Sequence, residues 1–357
     1  MDMYYLSTLT SLPFLAIIVT LFCLFSTSCF SILAVAHTGV DVIYQVSDEF
    51  LIENNIKKGD SNPISDWNTF ASLLEKCAAL GYEPEIRTGG SASNTIKGLA
   101  ALGHSCTLFG MTSNDAAADF YRNNLNHNGV NTILIPSKLP SSQFATFVTK
   151  DLQRTFCVYF GAGHSIRAED IYPELFKGHS FVHLEGYLFD DVGLIDRTAE
   201  LAKEQSATIS MDIGAIRIAK TYGQDFLKLA NRYATIVFSN EEEIHTLFNL
   251  TPEEGCLELA KLCPIAIVQV GKKGCVVASK NKLFKSPAID AVAIDTTGAG
   301  DLFAAGFIHG YINHYDLEEC AWIGNLLGGT AVTVIGAEIP SDRWPDLSQK
   351  IINHCSY

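Results

Sequence analysis

Basic residues are scarce in this chain. Its 357 residues hold 25 Lys and Arg against 39 Asp and Glu, a net charge of −14, with the acids spread out rather than gathered in a tail. A general nucleic-acid surface needs a basic patch, so nucleic acid is excluded as a partner. A small phosphorylated ligand is not, because backbone N–H groups and one or two local cations can hold it. Paired cysteines are lacking too. Ten Cys are present without any Cys-x-x-Cys, and Cys77, Cys106, Cys157, Cys256, Cys263, Cys275, Cys320 and Cys355 read as reduced, mostly buried thiols of an intracellular protein without a zinc site. No Gly-x-Gly-x-x-Gly follows the first apolar strand, which tells against an NAD-dependent dehydrogenase. No internal repeat or low-complexity linker breaks the chain. What is there is apolar: 48% of the residues are hydrophobic, enough for one large domain or two ordinary ones.

Charge is absent from Leu9 to Ala36. That run is long enough for a transmembrane helix or a signal h-region, yet Met1-Asp2-Met3 offers no basic n-region. Residues 1–30 are therefore read as an extension, with three alternatives: a membrane anchor or uncleaved signal, a start-site artefact, or an extra packed helix. A non-structural extension on a cytoplasmic protein is preferred, with membrane association if the segment is a true anchor.

The informative stretch is Asp295-Thr296-Thr297-Gly298-Ala299-Gly300-Asp301, followed by apolar residues at helical spacing, Leu302, Phe303, Ala305, Gly306 and Phe307. It predicts a Gly-rich turn opening into a helix, with Asp301 at the start. Successive N–H groups in such a turn form an anion hole. A carboxylate beside an anion hole is a poor choice for phosphate binding alone. It makes sense if Asp301 takes a proton from a hydroxyl that then attacks phosphorus, while Gly298, Ala299 and Gly300 stabilise the transferring group. A capped helix after a glycine turn is the plain alternative.

Short apolar runs at Ile32–Ala36, Phe181–Leu184, Ala207–Asp212, Ala234–Ser239 and Ile265–Val270 alternate with helical stretches, which predicts an α/β fold with a mostly parallel sheet. Ligands in such sheets sit beyond the carboxyl ends of strands. Asn240 and Glu243 follow a strand directly and lie one turn apart; they suit a water-mediated Mg²⁺ and phosphate site, or a helix cap with first-turn acids, and both can hold at once. Gly89 to Thr95 leads into a helix from Ile96 to Leu102, and Asn94 offers a donor and an acceptor to a diol. Asp66 to Leu80 reads as an amphipathic helix. Phe144–Lys150 and Arg154–Phe160 alternate as a hairpin, with Arg154 either guiding phosphate or solvated at an edge.

Four of these elements together resemble the ribokinase-like (PfkB-type) sugar and nucleoside kinases. Asp295–Asp301 is similar to their second signature, Gly89-Gly90-Ser91-Ala92-Ser93-Asn94-Thr95 to their first, Asn240-Glu241-Glu242-Glu243 to their Asn-x-x-Glu element, and Gly271-Lys272-Lys273-Gly274 to their Gly-x-x-Gly turn. Glu185-Gly186-Tyr187-Leu188-Phe189-Asp190 is most similar to the adenosine-kinase-like branch. The resemblance implies a ribokinase-like three-layer sandwich over residues 31–357, with a small β lid from about 42–60 and 144–160. It implies ATP as co-substrate, Mg²⁺, and a sugar or nucleoside acceptor. Asp41, Gly90 and Asn94 would hold the acceptor. Asn240, Gly271, Gly274 and Thr297 would hold nucleotide and phosphates, and Glu243 with Asn240 would act on Mg²⁺ through water. Gly328–Gly336 would close over adenine and, with Asp295 and Thr297, hold a monovalent cation such as K⁺. A homodimer through the lid is a further expectation. Departures from the pattern at Ala36, His37, Ser113 and Gln269 keep open a binding protein or degenerate kinase without turnover.

Overall fold

The computed structural model describes residues 31–280 and 282–355, so the expectations for residues 1–30 lie outside it. In β1 (Ser31–Val35), four consecutive apolar residues from Ile32 have no exposed surface, as in a strand covered on both faces. Ile32 and Ala34 pack into one hydrophobic core with Phe303 and Phe307; Leu33 and Val35 pack into another with Leu184 and Met211. Two cores on opposite faces of one sheet make a three-layer α/β molecule.

The other strands follow as β2 (Gly39–Gln45), β3 (Ser61–Pro63), β4 (Glu85–Gly89), β5 (Ser105–Thr112), β6 (Val130–Pro136), β7 (Gln143–Val148), β8 (Arg154–Tyr159), β9 (Phe181–Glu185), β10 (Thr208–Asp212), β11 (Ile236–Asn240), β12 (Ile265–Gln269), β13 (Cys275–Ser279) and β14 (Lys282–Ser286). They form a nine-stranded sheet of order β14-β13-β12-β11-β10-β9-β1-β5-β6 and a five-stranded sheet of order β3-β8-β7-β2-β4. The large sheet is parallel from β12 to β6, with β13 and β14 antiparallel at one edge. Its register sets Leu184 beside Val35, Glu185 beside Asp212 and Asn240 beside Gln269. The carboxyl ends of five strands thus reach one edge.

The small sheet contains the expected hairpin as β7 and β8, and β2 reaches back to Gly39, so that Asp41 lies on a strand. Pairing aligns Asp41 with Phe144, Phe144 with Val158, and Phe156 with Ser61. β3 and β4 were not legible: Ser61-Asn62-Pro63 and Glu85–Gly89 are short, polar edge strands that owe their conformation to pairing.

Helix boundaries bring one correction. The helix expected from Ile96 begins at Ser91 and runs to Ala101, with Gly90 as its cap, so Ser91–Thr95 form a helical turn rather than a loop. Trp67–Ala79 is helical as its periodicity predicts, capped by Asp66. None of the eight described cysteines is in a disulfide, and seven are buried. Among the described residues no helix is long and apolar enough to cross a membrane.

Candidate active site

The turn at Gly298 is fixed by its backbone. Gly298 caps the helix Ala299–Ile312 at φ +74°, a left-handed conformation that favours glycine. A Cβ there would come within 2.2 Å of the Ala337 Cβ. Asp301 is the third helical residue. Its Oδ1 accepts a hydrogen bond from the Ser91 hydroxyl at 2.7 Å, and its Oδ2 accepts one from the Asn94 amide at 2.8 Å. The Thr95 hydroxyl donates to its carbonyl at 3.2 Å. The two signature stretches, about two hundred residues apart, therefore meet at one carboxylate. Burial pushes the Asp301 carboxyl up, while Ser91, Asn94 and the charge of Lys97 oppose the shift.

A second carboxylate supports this junction. Glu185, at the end of β9, is buried; its Oε1 accepts the His37 N–H and its Oε2 the Ala92 N–H, both at 2.8 Å. It ties the turn after β1 to the start of the Ser91 helix. Burial raises its carboxyl to about 7.

Two cavities flank the turn. The larger, about 510 Å³, takes in Asp41, Gly90, Asn94, Thr297, Gly298 and Asp301. The aligned face of the small sheet adds Phe144, Phe156 and Val158, and the far wall adds His37, His164 and Arg217. Burial raises Asp41 to about 6, against the charges of Arg154, Lys97 and Arg87. The smaller cavity, about 290 Å³, is lined by Gln269, Gly271, Gly274, Asn325 and Gly328, with Thr296 and Ala299 from the other side of the turn. The segment from Thr296 to Asp301 is thus the wall between the two cavities.

Not every expected residue reaches this wall. Asn240 and Glu243 line neither cavity. They form a capping box in which Asn240 Oδ1 accepts the N–H groups of Glu242 and Glu243, and Glu243 returns a bond to the Asn240 N–H at 2.9 Å. Burial raises Glu243 to about 7, and burial with the charge of Glu243 pushes Asp212 well up. Asp295 accepts from the Thr297 N–H and hydroxyl, the Gly336 N–H and the Arg154 guanidinium. Although burial opposes it, those donors hold its carboxyl below the usual range. Arg154 is neither solvated nor free: it links the small sheet to Asp295 and Thr297.

The sequence reading did not single out Glu185, His164, Tyr187 or Arg217 as lining residues. For Glu185 a signal existed, because it ends a buried parallel strand at the edge where ligands gather. For His164 and Arg217 there was none; topology alone brings them in.

A model of the pfkB family carbohydrate kinases matches residues 58–344. The chain belongs to that family. It is a sugar or nucleoside kinase, a phosphotransferase acting on hydroxyl groups, with the ribokinase-like fold. A nucleoside kinase of Methanocaldococcus jannaschii is 25% identical over 269 residues, covering 74% of this chain and 86% of that one. An ATP-dependent ribose-1-phosphate kinase of Halopiger xanaduensis is 28% identical over 251 residues, covering 70% and 81%. The structure of adenosine kinase from Sinorhizobium meliloti superposes with a TM-score of 0.78 at 29% identity, covering 91% and 99%. Kinases of the family use ATP, and their named acceptors include both neutral and phosphorylated molecules, so the acceptor has to be argued from this chain's own cavity.

Proposed function

We propose that this kinase transfers the γ-phosphoryl group of ATP to a primary hydroxyl of a nucleoside, with an adenosine-like acceptor favoured over a sugar phosphate. The observation that carries the reading is the position of Asp301 on the wall between the two cavities. The acceptor occupies the larger cavity and ATP the smaller. Asp301 accepts the hydroxyl proton, the freed oxygen bonds to the γ-phosphorus, and the bond to the β-phosphate oxygen breaks to release ADP. The N–H groups around Gly298, Ala299 and Gly300 face the charge on the transferring group. Asp41 and Asn94 hold the ring hydroxyls; Asn94 Oδ1 is buried and has no partner within the protein.

Charge supports an uncharged acceptor. Asp41, Glu185 and Asp301 surround the larger cavity, and Arg217, the cation in its lining, is bound bidentately to Asp190 at 2.6 and 2.9 Å. A sugar phosphate would need a free cation for its second anion.

The donor set beyond β10 and β11 fits a divalent cation held through water. Asp212 and Glu243 are buried acids with raised carboxyls and, among the described residues, no basic partner, and a nearby Mg²⁺ would relieve their repulsion. When bound with ATP, Mg²⁺ neutralises phosphate charge. The Asp295 carboxylate is already occupied by four donors, so a monovalent cation near this turn would be held by backbone carbonyls. Thiols outside disulfides, among the described residues, and the use of ATP favour the cytoplasm.

An ADP-release screen of the purified chain against adenosine, other nucleosides, ribose, fructose and ribose phosphates tests the reading. Adenosine or another nucleoside is expected to give the highest kcat/KM. A clear preference for a sugar phosphate overturns the acceptor assignment, and no ADP release with any acceptor overturns turnover itself.

A further inference from the structure

Six buried side-chain nitrogen or oxygen atoms among the described residues have no hydrogen-bond partner within the protein, and four belong to residues of the larger cavity: Asn94 Oδ1, His37 Nδ1 and both ring nitrogens of His164. An unpaired buried polar atom costs about 1–3 kcal/mol. Their gathering in one cavity marks where a ligand's polar groups go. Asn94 belongs with Asp41 and Asp301, at the end where ring hydroxyls lie. The three imidazole nitrogens form a second locus that the transfer step does not use.

Its geometry is that of a flat slot. The His37 and His164 rings lie 3.8 Å apart, inclined by 38°, and the Phe160 ring is 4.3 Å from His164. His164 ends a short turn, Ala162–His164, that follows β8, and His37 follows β1 with its N–H fixed by Glu185. Burial keeps the His37 ring well below its ordinary range, so it is neutral near pH 7. His164 Nε2 has only a long contact, 3.5 Å to an Asp190 carboxylate oxygen, and Asp190 also holds Arg217.

We propose that stacked His37 and His164 form the recognition edge for a flat, uncharged, hydrogen-bonding head group of the acceptor, a nucleobase-type heterocycle, and so determine discrimination between a nucleoside and a bare sugar. The proposal rests on the assignment of the larger cavity to the acceptor. A neutral imidazole offers one N–H donor and one acceptor nitrogen, which matches adjacent donors and acceptors on a heterocycle rim. The ring faces and Phe160 supply stacking. A volume of about 510 Å³ lies in the range of pockets that enclose drug-sized ligands. A bare pentose would satisfy Asp41 and Asn94 and leave three imidazole nitrogens unpaired, and a site built to hydrogen-bond a group discriminates against analogues that lack it.

The test compares kcat/KM for adenosine and for ribose in the full-length wild type, His164→Phe and His164→Asn. Phe keeps the stack and removes both nitrogens; Asn restores a donor and an acceptor on a smaller side chain. The adenosine-to-ribose ratio is expected to fall about tenfold or more in His164→Phe, chiefly through KM, the equivalent of one lost hydrogen bond. It is expected to recover in part in His164→Asn. An unchanged ratio, or a wild type that prefers ribose, overturns the recognition edge and leaves the kinase reading standing. If the wild type turns over no acceptor, the kinase reading fails on its own, and calorimetric titration of adenosine and of ribose without ATP decides the edge. Weaker adenosine binding by about tenfold in His164→Phe supports it, and equal binding overturns it. Should His164→Phe not fold, His164→Asn alone carries the comparison, with the ratio expected to lie below wild type.

Discussion

The two cavities on either side of the Thr296–Asp301 wall are built in different ways. The smaller is lined by glycines, alanines and the apolar side chains of Ile289, Phe303 and Val332, with Gln269, Lys272 and Asn325, all from the part of the chain between Gln269 and Val332. The larger draws side chains from both sheets and from segments between His37 and Asp301, and it concentrates buried carboxylates and unpartnered polar atoms. A site of glycines and small apolar residues suits a co-substrate that every member of a kinase family shares, and its residues are constrained by sterics. A side-chain site, if it holds the acceptor as proposed, carries the acceptor's identity and can vary without disturbing the turn. Substitutions on the wall should therefore damage turnover with any acceptor. Those on the far side of the larger cavity should change which acceptor is used.

The largest effect is expected at Asp301. Asp301→Asn keeps an oxygen to accept from Ser91 and an isosteric side chain, yet cannot take a proton. Turnover should fall by about 10²–10⁴-fold with every acceptor, while ATP binding, measured by calorimetry, should change little. Turnover near the wild-type level in the Asn variant would remove Asp301 from the chemistry. Loss confined to one acceptor would break the contrast between the wall and the cavity.

A smaller but still general loss is expected from Gly298→Ala. At φ +74° a Cβ is strained, and the Ala337 Cβ lies 2.2 Å from where it would be. The turn must shift, moving the N–H groups proposed to face the transferring phosphoryl group. Such strain costs about 1–3 kcal/mol. The expected readouts are a lower melting temperature and a kcat reduced by about 10-fold or more, similar for adenosine and ribose. A variant that loses activity with adenosine alone would show that the turn reads the acceptor.

The same division explains what the sequence could reveal. The wall was legible because its residues are contiguous and each type has a local physical reason: glycine for a positive φ, Asp for a first helical turn. The parallel core was legible because fully buried strands such as Ile32–Val35 and Ile265–Val268 are unbroken apolar runs. The far side of the larger cavity was not. Glu185 meets His37 across 148 residues only because β9 and β1 are neighbours, and strand order is not written in either segment. Arg217 appeared absent from the acceptor pocket in sequence because the Ile216–Tyr233 helix reaches it through that same topology. β3 and β4 escaped because edge strands carry little apolar periodicity. The apolar stretch before Ser31 lies outside the described residues.

The smallest expected effect is on stability, and it follows from Glu185. A carboxyl held at about 7 in the folded chain, against about 4.3 unfolded, binds a proton in the folded state that the unfolded state has already released. Between those values the folded state holds more protons, so stability falls as pH rises across the window. The ionised form still serves a purpose, since a carboxylate accepts both the His37 and the Ala92 N–H more strongly than the protonated acid does. Glu185→Gln has one acceptor oxygen and resembles the protonated acid. Its melting temperature should therefore lie close to wild type at pH 5 and gain on it by pH 8, by a few degrees at most for a linkage of up to ~3 kcal/mol. Turnover at pH 8 should fall, because one N–H of the junction that positions Ser91 and Asn94 loses its partner. Thermal melts at the two pH values, without ATP or acceptor, check the first half, and kcat for adenosine checks the second. A melting difference that is the same at both pH values would mean that Glu185 does not titrate in this window. A variant with unchanged kcat would mean that the junction of β1, β9 and the Ser91 helix holds without its carboxylate, and that the acceptor side is less dependent on buried charge than its architecture implies.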